Sequence, residues 1–152
     1  MKTNNLSRFA VPLLVFVPLL FSRCSDKGDD LPKEKSYKFT ITVNGATASD
    51  RAQFLIVGGS PTAEQTIWKV NGVTRNNEQG VGFNTVDFAG STKTYVIESV
   101  KPLTHVQVSV QCINFDATFT YSYKAEVNNS AKHDQKDIVV VEGAPFSANY
   151  SY

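Results

Sequence analysis

Apolar and polar residues alternate along most of the chain after residue 36, which is the pattern of half-buried β-strands. The clearest segments are 37–43, 105–113 and 117–127, each with one apolar and one polar face. Asn71-Gly72 is a strong signal for a two-residue hairpin turn. Further short strands are predicted over 52–57, 65–70, 73–75, 81–83, 86–88, 93–100, 137–141 and 147–152.

These elements predict an all-β fold, a two-layer antiparallel β-sandwich over residues 37–152. No stretch carries a helical period over a helix-length window, and many short strands with frequent turns favour two packed sheets. Residues 114–116 are expected to join the two long strands as a hairpin, and 128–136 to form a polar loop. Trp68 and the stripe of Phe119, Tyr121 and Tyr123 are expected in the core, because the opposite face of that strand is polar.

The domain also resembles known bacterial modules. Trp68 followed by Asn71-Gly72, and Gly90 before Tyr95-Val96-Ile97, is similar to immunoglobulin-like and PKD-like modules of bacterial surface proteins. The similarity spans Tyr37 to Val141. The paired cysteines of antibody domains are absent, so the resemblance implies an immunoglobulin-like architecture and no particular function.

The first 23 residues predict a cleaved signal peptide. Lys2 and Arg8 precede an apolar run from Phe9 to Phe21, which is too short to span a bilayer as a helix. Pro12 and Pro18 within the run also disfavour a lasting transmembrane helix.

Cys24 directly follows this run and predicts lipid attachment. Cys24-Ser25-Asp26, with Asp29 and Asp30 behind it, resembles the start of mature lipoproteins of the Bacteroidetes. That resemblance implies acylation of Cys24, cleavage just before it and an outer-membrane location, with 24–36 as an acidic flexible tether. Arg23 stands where the family pattern has a small residue. The alternative is an ordinary cleaved signal followed by an incidental cysteine.

The charge of the mature chain excludes two classes of partner. Loss of Lys2, Arg8 and Arg23 leaves 12 of the 15 basic residues against 14 acidic ones, a formal net charge of −2. No basic cluster remains, so neither nucleic-acid binding nor attraction to anionic lipid is expected.

The candidate reactive groups predict no metal site and no cofactor. His105 and His133 are widely separated and lack companion ligands at metal-binding spacing. Asp26, Asp29 and Asp30 could contribute oxygens to calcium, but they lack the spacing of a dedicated loop. A solvated tether, or an export signal recognised by transport machinery, is favoured. Cys112 lies on the apolar side of its strand and is expected to be an inert core residue.

No motif for a nucleophile or a phosphate-binding loop occurs, so the chain is not expected to be an enzyme. The sequence therefore favours a lipid-anchored binding or scaffold subunit of a bacterial envelope assembly. Small β-sandwich lipoproteins of secretion systems, including the membrane complex of type VI systems, are comparable in architecture. The alternatives are a surface glycan-binding lipoprotein of a polysaccharide-uptake system and a minor adhesin or fimbrial component. Tyr150 and Tyr152 are the aromatic residues expected to be exposed.

Overall fold

The computed structural model describes residues 33–152 and confirms the predicted all-β antiparallel sandwich. Ten strands and one short helix follow one another along these residues. In chain order they are β1 (Tyr37–Asn44), β2 (Arg51–Gly59), β3 (Trp68–Val70), β4 (Val73–Arg75), β5 (Gly80–Phe83), α1 (Thr85–Phe88), β6 (Lys93–Ser99), β7 (His105–Ile113), β8 (Phe119–Val127), β9 (Ser130–Val140) and β10 (Phe146–Ser151).

The strands form two sheets that pack against each other. The larger sheet has six strands in the order β4-β3-β6-β1-β8-β9, and the smaller has four in the order β10-β7-β2-β5. All strand pairs are antiparallel. The central strands β1 and β7 each pair on both sides, whereas β9 and β10 are edge strands.

The core is the set of inward-facing side chains of both sheets. Alternation is complete on β2 and β7, whose inner residues are buried and whose outer residues are largely exposed. Aromatic rings fill the space beneath β1, where Phe39 lies 6.3 Å from Trp68 and 6.4 Å from Tyr123 between ring centroids. Trp68 and the stripe of Phe119, Tyr121 and Tyr123 are buried, which confirms their predicted place in the core.

Gly58 allows Trp68 to reach this position. A Cβ atom on Gly58 would lie 2.7 Å from Cζ2 of Trp68 and 2.9 Å from Cδ1 of Leu103. Both distances are too short for real contacts, so the inner face of β2 needs glycine here. Gly58 and Gly59 belong to β2, which thus extends beyond the strand predicted over 52–57.

The predicted hairpin at 114–116 is wrong, because β7 and β8 lie in different sheets. β7 pairs with β2 and β10, and β8 pairs with β1 and β9. Each of the two strands has a fully apolar inner face, and such a face identifies a core strand without identifying its sheet. The segment 114–118 crosses from one sheet to the other.

The polar loop predicted over 128–136 is also wrong, since most of it belongs to β9. β8 turns at Asn128 and Asn129, whose φ angles of 51° and 61° suit a tight hairpin turn. β9 then returns along β8 with two register shifts. The many charged residues of β9 leave it without an alternating apolar pattern, so the strand could not be recognised from sequence. Such charges are typical of an edge strand, where they prevent pairing with other chains.

Residues 86–88 form part of helix α1 instead of the predicted strand. Asn84 caps this single turn: its side chain accepts from the Val86 amide at 2.9 Å, and the Asp87 carboxylate accepts from the Asn84 amide at 2.8 Å. This reciprocal capping stabilises a helix start that the apolar pattern of the segment does not indicate.

Hydrogen bonding to the domain begins two residues before β1. Lys35 and Leu103 exchange backbone hydrogen bonds of 2.9 and 2.8 Å, and the Ser36 amide donates to Oδ1 of Asn128. The earlier part of the predicted tether, the predicted signal peptide and Cys24 lie outside the described residues. Within 33–152 no helix is long and apolar enough to cross a membrane.

Two tyrosines of β8 provide a matched pair for testing the core. The buried hydroxyl of Tyr121 has no hydrogen-bond partner within residues 33–152, whereas the Tyr123 hydroxyl lies 3.0 Å from that of Tyr152. We expect Tyr121→Phe to leave the free energy of unfolding unchanged or to raise it by up to about 1 kcal/mol, because it removes an unsatisfied buried group. Tyr123→Phe should lower that free energy by about 0.5–1.5 kcal/mol.

Urea unfolding followed by Trp68 fluorescence measures both variants. An equal loss of stability in the two would contradict the different roles assigned to these hydroxyls.

Candidate functional site

The strands run between two ends of the sandwich. The tether joins at one, where Lys35 pairs with Leu103 and β1 starts at Tyr37. The opposite end, here called the loop end, consists of residues 45–50, 84–92, 114–118 and 141–145. The eight residues of β1 separate the two by about 25 Å at the usual rise of a strand.

The buried carboxylate of Asp50 holds two segments of the loop end together. Its Oδ2 atom accepts from the Thr47 amide at 2.8 Å and from the Thr47 hydroxyl at 3.0 Å. Its Oδ1 atom accepts from the Phe115 amide at 2.8 Å. Asp50 is only 4% exposed, so these donors replace water around a charged group.

The electrostatics of Asp50 favour the charged form. Burial acts to raise the pKa of the carboxyl, but the hydrogen bonds from Phe115 and Thr47 outweigh it and hold the pKa below its usual range. The folded loop end therefore prefers ionised Asp50 at neutral pH.

Thr85 and Asn114 extend this network to other segments. The Thr85 hydroxyl donates to the Asp50 carbonyl at 2.8 Å, which fixes the start of α1. The Asn114 side chain donates to the Val140 carbonyl at 2.8 Å and accepts from the Asp116 amide at 2.9 Å. Within residues 33–152 Asp50 and Asn114 are the only buried side chains of polar type, and both are at this end.

Apolar side chains project from these fixed loops into solvent. Phe115 is 61% exposed and Val86 84% exposed, although their backbones are tied to Asp50 through hydrogen bonds of Phe115 itself and of Thr85. Val139 and Val141 are also exposed near the end of β9. Four of the eight large apolar residues exposed in the described part of the chain are thus at or beside the loop end. Phe115 is the single aromatic among the eight.

The sequence pattern did not identify Phe115, because a lone aromatic in a short polar turn gives no periodic signal. Tyr150 and Tyr152 were the predicted exposed aromatics, and that prediction is wrong: both are partly buried against the core. The Tyr152 hydroxyl lies 3.0 Å from the Tyr123 hydroxyl and 2.9 Å from Nδ1 of His133. Tyr150 donates to Oε1 of Gln135 at 3.3 Å. These contacts close the side of the sandwich between β9 and β10.

The two histidines have different surroundings. His133 lies among the rings of Tyr123, Tyr150 and Tyr152, and we call these four residues the tyrosine cluster. His105 begins β7, where its Nδ1 atom lies 3.1 Å from the Thr104 hydroxyl and its ring packs over Gly59. No group of three or more histidine, cysteine, aspartate or glutamate side chains suited to a metal ion occurs among residues 33–152.

Cys112 is fully buried on the inner face of β7, as its strand position predicted. Burial raises the pKa of its thiol to about 12, so almost no thiolate exists at neutral pH. This thiol is therefore unsuited to nucleophilic chemistry.

Comparisons with known proteins establish the fold. No protein-family model matches the chain, and no curated protein matches it. Two solved structures are similar. One is the NMR structure of the calcium-bound form of a protein from Parabacteroides distasonis, with a TM-score of 0.59 and 16% identity over 79% of this chain and 93% of that one. The other is the crystal structure of a DUF4425 family protein from Bacteroides ovatus, with a TM-score of 0.52 and 13% identity over 79% and 95%. At such identities the likeness shows a shared fold.

Asp50 makes the stability of the domain depend on pH. We expect Asp50→Asn to lower the free energy of unfolding at pH 7 by about 1.5–3 kcal/mol, which is the usual contribution of hydrogen bonds to a charged group. A depressed pKa contributes stability above the unfolded value of about 4, and that contribution is lost as pH falls through the folded value. The gap between wild type and variant should therefore narrow below about pH 4.

Urea unfolding at a series of pH values measures this gap. Asp116→Asn, which removes an exposed carboxylate from the same loop, is the control and should change stability by less than about 0.5 kcal/mol. A gap that stays constant down to pH 2 would contradict the proposed electrostatics of Asp50.

Proposed function

We propose that this chain is a non-enzymatic, lipid-anchored binding subunit of a bacterial outer-membrane assembly, and that it holds a partner protein at its loop end. The observation that carries the proposal is the placement of Phe115. This exposed aromatic stands on a backbone fixed by a buried carboxylate, at the end of the sandwich opposite to the junction with the tether.

A fixed, exposed aromatic is suited to protein recognition. Binding energy in protein interfaces is concentrated in a few residues, and aromatic residues are enriched among them. Ordering a mobile loop on binding costs free energy, and a loop held in place beforehand avoids that cost. Asp50 and Asn114 hold the segment around Phe115 in this way.

The proposed anchor matches this geometry. Ten residues lie between Cys24 and Lys35, so the eleven steps from one to the other can span at most about 40 Å when fully extended. Acyl chains on Cys24 would hold the protein at a membrane, since several chains bind far more firmly than one. The tether joins the sandwich at the end opposite to the loop end, which leaves that end free for a partner.

The absence of catalysis is likewise part of the proposal. Cys112 is buried with a raised pKa, and His133 is held within the tyrosine cluster. The Parabacteroides distasonis protein binds calcium in its NMR structure. We do not propose a calcium site at the loop end of this chain, because both carboxylate oxygens of Asp50 already accept hydrogen bonds.

A photo-crosslinking amino acid at position 115 tests the binding surface in intact cells. Val73, which is 67% exposed on the β3–β4 hairpin, is the matched position. We expect a cross-link to an envelope protein from position 115 and none from position 73. Phe115→Ser should reduce co-purification of that protein more than tenfold, as expected for loss of an aromatic anchor.

Cys24→Ala, assayed in the same cells, should release the protein from the membrane fraction. A variant that remains wholly with membranes would refute lipid attachment at Cys24. Equal cross-linking from positions 115 and 73 would refute the loop end as the binding surface.

A further inference from the structure

The outer face of the smaller sheet differs in chemistry from the rest of the surface. Its central part is a grid of three rows, each with one residue from β2, β7 and β10 in register. The rows are Gln53–Gln111–Ser147, Leu55–Ser109–Asn149 and Val57–Gln107–Ser151. None of these nine side chains carries a charge. We call them the neutral face.

The outer face of the larger sheet has the opposite character. Lys38 and Glu98 pair at 3.7 Å across β1 and β6, and Lys124 and Glu126 pair at 3.0 Å on β8. The same domain therefore places charges on one sheet and excludes them from the centre of the other. Arg51 and His105 lie at the margins of the neutral face, at the start of β2 and the start of β7. At its margin Arg51 donates from Nη1 to Oε1 of Gln111 at 3.3 Å, which leaves the Gln111 amide nitrogen free to donate along the face.

Two shallow depressions run along β7 on this face. One, of about 320 Å³, is lined by residues that include Val57, Gln107 and Asn149. The other, of about 200 Å³, is lined by residues that include Gln53, Gln111 and Ser147. Leu55 and Ser109 line both depressions, so the two depressions form one continuous groove. The small Ser109 side chain lies at the middle of this groove.

The side chains of this groove suit an uncharged, hydroxyl-rich chain. Glutamine and asparagine amides both donate and accept, and serine hydroxyls do the same. Successive rows repeat along the strands about every 6.8 Å, so hydrogen-bonding groups recur along the groove. Leu55 and Val57 are 45% and 42% exposed and offer apolar contact on one side. Beside them β5 contributes Gly80 and Gly82, which leave that side without side chains.

The same composition disfavours other occupants. Protein interfaces are enriched in aromatic residues, methionine and arginine and depleted in serine. The nine residues of the neutral face include three serines and none of the enriched types, and Tyr150 is the one aromatic residue that lines the groove. An acidic polymer would need several basic side chains along the groove, whereas the nine positions provide none and Arg51 contacts only Gln111 at one end.

We propose that the neutral face is a second binding site, distinct from the loop end, and that it takes a neutral polysaccharide chain along β7. The sugar hydroxyls would pair with the amides of Gln107, Gln111 and Asn149. The C–H groups of the sugar rings would lie against Leu55 and Val57.

Affinity electrophoresis of the full-length chain in detergent tests this site. The gels contain starch, dextran, inulin, laminarin or galactan as neutral polysaccharides, and polygalacturonate or heparin as acidic ones. We expect retardation by at least one neutral polymer and by neither acidic one. Ser109→Arg should weaken that retardation at least tenfold by filling the centre of the groove. Thr40→Arg, at the middle of β1 on the opposite sheet, should leave it unchanged.

The double variant Gln107→Ala with Gln111→Ala is a milder change and should also weaken binding. It serves if Ser109→Arg fails to fold, as judged by the thermal unfolding of each variant. Retardation by no neutral polymer, or retardation that both groove variants preserve, would overturn the proposal. So would sedimentation showing a dimer that Ser109→Arg dissociates, since a second copy of the chain would then occupy the face. Phe115→Ser should leave retardation intact, which separates this site from the loop end.

Discussion

The buried carboxylate of Asp50 is the constraint on which the loop end depends. A charge removed from water destabilises a fold strongly unless donors surround it. The Asp50 donors come from Thr47 and Phe115, which are far apart in sequence and meet only when β2 and β7 pair correctly. Formation of the core therefore brings the donors to Asp50, and Asp50 in turn fixes the loops. The position of the exposed Phe115 side chain therefore depends on this interaction.

The main architecture could be predicted from sequence because it follows from burial. Alternation on β1, β2, β7 and β8 identifies strands with one apolar face, and the Asn71-Gly72 turn appears where expected. The burial of Cys112 followed from the same argument. All of these features depend on side chains within a few residues of each other, and such local patterns are visible in a single sequence.

The features that escaped prediction depend on distant partners. A hairpin at 114–116 looked natural because the flanking strands are consecutive, yet Asn114 and Phe115 bond to Val140 and Asp50 across the end of the sandwich. β9 carries too many charges to show an apolar face, because it is an edge strand. Tyr152 looked exposed as a terminal aromatic, and its bonds to Tyr123 and His133 come from other strands. The candidate site consists mostly of such distant contacts, so the sequence indicated little of it.

Three surfaces of the domain carry different types of side chain. The larger sheet carries paired charges, the neutral face of the smaller sheet carries amides and hydroxyls, and the loop end carries exposed apolar groups on a fixed backbone. Such a division would let the two proposed binding sites take partners of different chemistry without competition.

The loop end is fixed in the free protein by the hydrogen bonds to Asp50. Amide hydrogen exchange measured residue by residue by NMR on the free protein tests this directly. We expect the Phe115 amide, although it lies in a surface loop, to exchange as slowly as amides within β7 and β8, because it donates to buried Asp50. Exchange of that amide as fast as at exposed Ala48 would show that the loop opens freely and would contradict the account.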